Sequence, residues 1–326
     1  MARPLGEDGG MHLIVTCAVG LEDLLRGDLQ QAGARAVVSG EGELTVTVDE
    51  IDVVRSNPMV DRVAMSWSPG VPLEDAEKLC RAAGFDGDVA FRVHEKDSSV
   101  RDGIVRAVGH QTGWRNEPGD WQVNLVPGTN RAEIGPLAWA ARFGAMERLP
   151  ATTPPSVAAG VLRLAKLQPG MALLDPCGGV GTIPIVDAIG RDGRGLIVDL
   201  SPESIALARN NIRTFGLKDR VFAEEGDATY LDLADASVDR VVSDVPFGKR
   251  IGSNQENDTL YPGLVRELGR VLTQDGRAVV ITDDKRRFAD VVARDRSLKV
   301  VKETALRYNG VTPTAFSLTR VRARGR

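Results

Sequence analysis

The sequence contains few of the residues that build covalent or metal-based scaffolds. It has 3 cysteines and 3 histidines in 326 residues. Cys17, Cys80 and Cys177 lie far apart, and the histidines form no closely spaced pair, so neither a zinc site nor a disulfide framework is indicated. We therefore expect no disulfide scaffold and no metal held by protein side chains.

Long apolar runs are also missing. No segment approaches the roughly 18 consecutive apolar residues of a membrane-spanning helix, and the opening MARPLGEDGG contains no apolar signal core. The chain is nevertheless 42% hydrophobic and 26% charged, which is enough apolar material for a packed core and excludes a disordered or collagen-like protein. We expect a cytoplasmic enzyme or binding protein of about two domains.

Charge is distributed unevenly along the chain. The first 150 residues carry 15 basic and 23 acidic side chains, whereas the remainder carries 26 basic and 22 acidic ones. A proline-rich stretch over 149–155 marks the predicted boundary between an N-terminal domain, 1–148, and a C-terminal domain, 149–326. The acidic first domain lacks the overall positive field that is typical of nucleic-acid-binding domains.

The hydrophobic pattern differs between the two predicted domains. Before the boundary, short strands alternate with helices, including a hairpin around Gly40 to Gly42, which predicts an α+β domain. From Met171 onward, strands and helices alternate regularly, which predicts an α/β fold with a mostly parallel, doubly wound sheet. The polar segment Gly252 to Asp258 has the composition of a loop.

A glycine-rich turn follows the first strand of the second domain. Pro184 occupies the position of the last glycine in a dinucleotide-binding G-x-G-x-x-G motif, and no phosphate-binding P-loop motif is present. An acidic residue followed by closely spaced glycines suits a ligand with a cationic head and no pyrophosphate, such as S-adenosylmethionine (SAM), whose methionine part would lie against the glycines. The residues predicted to bind it here are Asp175, Cys177, Gly178, Gly179, Gly181 and Thr182.

Three further acidic residues follow the next strands. Asp199 ends the second strand and can accept hydrogen bonds from both ribose hydroxyls, while Asp227 follows the third and can accept from the adenine amino group. Asp244 ends the fourth strand. Because the carboxyl ends of parallel strands meet at one sheet edge, these carboxylates should surround one ligand. Their neighbours Leu200 and Ala228 complete the predicted cofactor contacts.

The loop that begins at Asp244 has the residues needed to methylate a conjugated amine. Hydrogen bonds from such an amine to the Asp244 carboxylate and the Val245 carbonyl would localise the nitrogen lone pair and direct it at the donor methyl group. Pro246 restricts the backbone, and Phe247 offers a face for stacking on a planar substrate. These four residues are the predicted catalytic residues.

Several segments together resemble one protein family. The turn Asp175 to Thr182 resembles a DP-x-x-G-x-GT element, and Asp244 to Arg250 resembles a D-x-PFG-KR loop. Leu149 to Ala165 resembles a helix that leads into the catalytic domain, and Thr16 to Leu25 resembles a T-C-x-x-G-L-E-x-L-L opening. These segments are similar to the THUMP-containing class I methyltransferases, which modify exocyclic amines of guanine in RNA.

The resemblance implies a Rossmann-like methyltransferase domain, an N-terminal domain with ferredoxin-like and THUMP-like parts, and SAM as cofactor. It implies guanine N2 in tRNA or another structured RNA as the substrate, flipped into the pocket. The candidate substrate-binding residues are Lys249, Arg250, Arg92 and Arg101.

The acidic first domain keeps two alternatives open. An N-terminal domain that no longer binds RNA would leave an enzyme that methylates a small amine or guanidino compound, since a guanidino group and the N2 edge of guanine are chemically alike. A SAM-binding or RNA-binding scaffold without catalysis is the third possibility, against which the intact Asp244 loop argues.

Overall fold

A computed structural model describes residues 10–85, 88–135, 137–246 and 254–321. The chain divides into two compact units, Met1–Gly144 and Ala145–Arg326. The predicted boundary between residues 148 and 149 lies close to this division. Each unit has its own sheet, and within the described residues no helix is both long enough and apolar enough to cross a membrane.

The N-terminal unit mixes short strands with helices, as predicted for an α+β domain. Its strands are β1 (Met11–Thr16), β2 (Arg35–Gly40), β3 (Glu43–Val48), β4 (Arg62–Ser66), β5 (Ala90–Val93), β6 (Arg115–Asn116), β7 (Val123–Val126) and β8 (Arg131–Ile134). Its helices are α1 (Glu22–Gln31), α2 (Asp52–Arg55), α3 (Glu74–Ala82), α4 (Ser98–Thr112) and α5 (Ala138–Arg142), with a 3-10 turn at Pro127–Thr129.

The described strands of this unit form one eight-stranded sheet in the order β2-β3-β1-β4-β8-β7-β5-β6. Neighbouring strands among β1 to β4 are antiparallel and, with α1 and α2, give the βαββαβ ferredoxin-like arrangement. Strand β8 extends the sheet by pairing antiparallel with β4. Helix α4 is capped at both ends, because the Asp97 carboxylate accepts from Ser99 N and Val100 N and Gly113 adopts a left-handed conformation.

The C-terminal unit has the regular alternation that the sequence predicts. Its strands are β9 (Ala172–Asp175), β10 (Arg194–Asp199), β11 (Val221–Glu225), β12 (Val238–Asp244), β13 (Leu272–Thr282), β14 (Leu298–Ala305) and β15 (Thr314–Arg320). Its helices are α6 (Pro155–Ala165), α7 (Thr182–Arg191), α8 (Pro202–Thr214), α9 (Asn254–Val271) and α10 (Lys285–Asp295).

These strands form a sheet in the order β11-β10-β9-β12-β13-β15-β14. Strands β9 to β13 are parallel, and β15 inserts antiparallel between β13 and β14. The order reverses beside β9, so β9 and β12 flank the crevice where open α/β sheets bind ligands. The predicted mostly parallel, doubly wound sheet is confirmed.

One local prediction is wrong. Helix α9 begins at Asn254, so the later part of the segment predicted as a loop is helical, while Gly252 and Ser253 lie outside the described residues. Further along α9, the fully buried Tyr261 packs edge-on against Phe288 of α10, which in turn packs against Phe316 of β15. This aromatic cluster joins both helices to β15, the strand next to the β14 edge of the sheet.

Candidate active site

Four parallel strands end in the predicted acidic residues or just before them. Asp175, Asp199 and Asp244 are the last residues of β9, β10 and β12, and Asp227 follows β11 by two positions. The register of the pairs places these ends at the same edge, since Ile197 pairs with Asp175 and Asp199 with Glu225. The geometry therefore brings the four predicted acids to one edge of the sheet.

Asp175 lies at the base of the crevice and is only 2% exposed. Its Oδ1 accepts hydrogen bonds from Ser243 Oγ at 2.7 Å and from Cys177 N at 3.3 Å. Burial raises the pKa of Asp175 to about 8, and the hydrogen bonds oppose this shift. Burial also raises the pKa of the Cys177 thiol, which makes this cysteine a poor nucleophile.

The three glycines of the turn differ in the space that a side chain would find at each position. A Cβ on Gly178 would lie 2.7 Å from Ile197 Cγ2, and one on Gly181 would lie 2.6 Å from Ile197 Cδ1. Packing within the protein therefore disfavours a side chain at both positions, and the contact of these glycines with a ligand stays a prediction. Gly179 has φ of +53° and its Cβ direction is open, so this position alone of the three leaves a clear space beside the chain.

Asp199 is fixed by two backbone donors. Its Oδ2 accepts from Gly179 N at 2.8 Å, and its Oδ1 accepts from Ser201 N at 2.9 Å, where Ser201 is the N-cap of α8. The next side chain, Leu200, is 72% exposed despite being apolar. A fixed carboxylate beside an exposed apolar side chain matches the polar ribose and flat base of a nucleoside.

Thr182 and the Asp227 segment are held by contacts within the protein, and their contacts with a cofactor stay predictions. The Thr182 side chain is buried and its hydroxyl donates to Met146 Sδ, so only its backbone remains for a ligand. Asp227 is exposed, and its Oδ1 accepts from both the amide and the hydroxyl of Thr229 at 2.7 Å. Ala228 is buried. Asp227 is thus held by its own turn and keeps its second carboxylate oxygen for other donors.

Asp244 has the most unusual environment in the site. Its Oδ2 accepts from Thr153 Oγ1 at 2.7 Å and from Tyr308 OH at 3.1 Å. Its Oδ1 is buried and has no hydrogen-bond partner among the described residues. Burial raises the pKa of Asp244 to about 6, and the two hydroxyl donors lower it. A buried carboxylate oxygen without a donor is an acceptor prepared for an incoming N–H group.

The backbone after Asp244 is held from both sides. Val245 N donates to Ile281 O at 3.1 Å, and the Pro246 carbonyl accepts from Tyr261 OH at 3.1 Å. Thr282 Oγ1 lies 2.8 Å from the same Tyr261 hydroxyl. Val245 and Pro246 are therefore held in a fixed position at the end of β12. Phe247, Lys249 and Arg250 lie outside the described residues.

The two other predicted substrate contacts belong to the N-terminal unit. Arg92 Cζ lies 4.4 Å from the centre of the Trp121 ring, and its Nε donates to Asn124 Oδ1 at 3.0 Å. Arg101 Nε lies 3.5 Å from Asp102 Oδ1. Both cations thus have partners within their own unit, and their role in substrate binding stays a prediction.

Sequence reasoning missed the three hydroxyls that organise the loop, those of Thr153, Tyr308 and Tyr261. Tyr308 flanks an Asn309-Gly310 pair, which is a strong hairpin signal and could have located the turn. No local pattern connects Tyr308 with Asp244, which lies 64 positions away.

Solved structures share the fold of almost the entire chain. TrmN from Thermus thermophilus matches with a TM-score of 0.73 at 22% sequence identity, and the match covers 95% of this chain and 99% of that one. The two sheets and their topology define a Rossmann-like methyltransferase fold preceded by an α+β unit.

The sequence itself gives the family. Residues 146–313, just over half of the chain, match the RMKL-like methyltransferase domain, UPF0020. The chain belongs to this family. Residues 12–60 match the RlmL ferredoxin-like domain, in agreement with the topology of β1 to β4.

Curated relatives carry more specific names. A mouse (Mus musculus) protein named tRNA (guanine(6)-N(2))-methyltransferase THUMP3 is 37% identical over 159 residues, which is 44% of this chain and 31% of that protein. A bovine (Bos taurus) protein named U6 snRNA (guanine-N(2))-methyltransferase THUMPD2 is 28% identical over 137 residues, 40% of this chain and 25% of that protein. The match therefore spans less than a third of either relative.

Proposed function

We propose that this protein transfers the methyl group of SAM to the exocyclic N2 amine of guanine in a structured RNA, with tRNA as the first candidate. The observation that carries the proposal is the buried Asp244 Oδ1, which lacks a donor among the described residues at the carboxyl end of β12. The names of the curated relatives support RNA over a small amine or guanidino compound.

The residues at the sheet edge fit SAM. Gly179 leaves a clear space, Asp199 presents a carboxylate held by two amides, and Leu200 exposes an apolar side chain beside it. Backbone amides and the Asp175 carboxylate would receive the methionine end of this ligand. When bound, SAM supplies a methyl group on a positively charged sulfur, and methyl transfer forms a nitrogen–carbon bond while the sulfur–carbon bond breaks.

Asp244 is the residue that prepares the acceptor. Its Oδ1 accepts one N–H of the guanine amine, which holds the nitrogen in place and reduces the delocalisation of its lone pair into the ring. The Val245 carbonyl is proposed to accept the second N–H. The amine proton leaves after transfer without a strong base, because a methylated, positively charged aryl amine is acidic.

A transfer assay with isotopically labelled SAM tests the proposal. Unmodified transcripts of tRNA and U6 snRNA are compared with a panel of small amines and guanidino compounds, and the product nucleoside is identified by mass spectrometry. We expect N2-methylguanosine in tRNA. Methylation of the small compounds but of no RNA would overturn the substrate assignment.

Variants at two aspartates test the assignment of the site. Asp244→Ala should lower kcat by about a hundredfold to a thousandfold while SAM binding is largely kept. Asp219→Ala is the matched control, because Asp219 is exposed near the start of β11, at the opposite sheet edge.

Since tRNA is the proposed substrate, the cytoplasm is the proposed location of the protein. Cell fractionation tests this location.

A further inference from the structure

Two hydroxyl groups from distant parts of the chain meet on one oxygen of Asp244. Thr153 precedes α6, and Tyr308 lies in the turn that joins β14 to β15. Both donate to Oδ2, at 2.7 Å and 3.1 Å, and neither contacts Oδ1. The carboxylate is therefore oriented by one oxygen while the other is kept for a different donor.

The backbone that carries Tyr308 is stiff. Tyr308 and Val311 exchange two backbone hydrogen bonds, and Leu306 N donates to Pro313 O at 2.8 Å. Asn309 and Gly310 have φ of 48° and 75°, the two positive values of a type I′ hairpin turn. Such a turn has little conformational freedom, so the Tyr308 phenol is held at a fixed distance from β12.

Thr153 is equally constrained. Its side chain is buried, and Pro154 and Pro155 follow it directly at the start of α6. Each proline fixes its own φ, and Pro154 also restricts the conformation of Thr153. The two donors thus approach Asp244 from two rigid segments that share no sequence neighbours.

The two hydroxyl donors affect the ionisation of Asp244. Burial raises the pKa of Asp244, and the Thr153 and Tyr308 hydroxyls are the groups that oppose this shift. Among the described residues, Tyr308 and Asp175 on β9 are the titratable groups whose pKa Asp244 affects, and its negative charge raises the pKa of both. Loss of either hydroxyl should therefore leave a carboxylate that is both less ionised and less well oriented.

We infer that Tyr308 and Thr153 are positioning residues, which hold Oδ2 of Asp244 so that Oδ1 accepts the N–H of the methylated amine. This inference rests on the proposed function. Neither residue contacts the substrate in this role, and each acts through the carboxylate. The expected signature is therefore a loss of kcat that depends on pH, with SAM binding unchanged.

The experiment compares three variants with the wild-type protein on the RNA that it methylates. Tyr308→Phe and Thr153→Val each remove one donor. Thr304→Val is the matched control, because the Thr304 hydroxyl on β14 is buried without a hydrogen-bond partner among the described residues. Each of the first two should lower kcat by about tenfold near pH 6 and move the acidic limb of the pH profile upward by about one unit.

Several outcomes would overturn the inference. They are an unchanged pH profile in Tyr308→Phe, an equal shift in Thr304→Val, or a change confined to the KM for SAM. A carbon-13 titration of the Asp244 carboxyl, assigned with Asp244→Asn, gives a readout that needs no activity. If Tyr308→Phe unfolds, Thr153→Val carries the test alone. A wild-type protein that methylates no RNA refutes the proposed function, whereas an unshifted carboxyl titration in both variants refutes this inference.

Discussion

Alanine substitutions in the glycine-rich turn should distinguish the effect of packing on stability from the effect on SAM binding. The neighbouring side chain of Ile197 makes this distinction measurable. Gly181→Ala places a Cβ 2.6 Å from Ile197 Cδ1 at a residue with φ of +88°. Overpacking costs about 1–3 kcal/mol, and a left-handed alanine adds about 1 kcal/mol. The expected loss in the free energy of unfolding is therefore about 2–4 kcal/mol.

Ile197→Val removes the Cδ1 atom and nothing else from this contact. Alone it should cost about 1 kcal/mol, but combined with Gly181→Ala it should recover about 1–2 kcal/mol of the loss. Gly178→Ala meets a different atom, Ile197 Cγ2 at 2.7 Å, which valine retains. When Ile197→Val is combined with Gly178→Ala, the two losses in the free energy of unfolding should therefore add to within about 0.5 kcal/mol.

Urea denaturation followed by circular dichroism measures these differences. Tryptophan fluorescence gives an internal reference, because all four tryptophans belong to the N-terminal unit, at positions 67, 114, 121 and 139. Equal rescue of both glycine variants by Ile197→Val, or rescue of neither, would refute the packing explanation.

Gly179→Ala provides the functional contrast. Its Cβ meets no atom within 4 Å, so only the positive φ of 53° opposes it, at a cost of about 1 kcal/mol. We expect this variant to be almost as stable as the wild-type protein but to have lost its affinity for SAM, as measured by isothermal titration calorimetry. Unchanged affinity would remove Gly179 from the proposed cofactor site.

Four further results are expected. In the wild-type protein kcat/KM should fall as the pH drops below about 6, because protonated Asp244 no longer accepts the amine N–H; a flat profile between pH 5 and pH 8, measured with labelled SAM, would contradict this. Asp199→Ala should weaken SAM binding by about tenfold to a hundredfold in calorimetry, since it removes a charged acceptor. Tyr261→Phe should lower kcat more than it raises KM, because it releases the Pro246 carbonyl; equal effects on both would argue against it. Gly193→Ala should lower the melting temperature without changing SAM affinity, because its Cβ would collide with the buried Asp187 carboxylate; a stable variant would contradict the packing.

The sequence was sufficient to predict the ligand-binding edge of the sheet and the acidic residues that lie there. Each of Asp175, Asp199 and Asp244 follows an apolar run, and the rule that parallel strands end at the same edge then brings them together. Those signals are local, so one chain suffices to detect them. The same is true of the hairpin before Glu43.

Long-range contacts could not be predicted in this way. The partners of Asp244 lie 91 and 64 positions from it, and no periodicity encodes such a separation. The start of α9 was missed for another reason. A polar segment has no helical stripe, yet adding residues to an existing helix costs far less than nucleating one, so α9 extends back to Asn254. Strand β6 has two residues, too few for any alternation to be recognised.

The position of β15 has a consequence for the order in which the site can form during synthesis. Strand β15 is made after β13 and β14 but lies between them, so both neighbours keep an open edge until residues 314–320 have been synthesised. Tyr308 lies in the turn between β14 and β15, so its hydroxyl is placed against Asp244 when these two strands join the sheet. A growing chain thus exposes unpaired strand edges in its C-terminal unit until β15 has been made, and the strand that protects those edges also brings the Tyr308 turn into place beside Asp244.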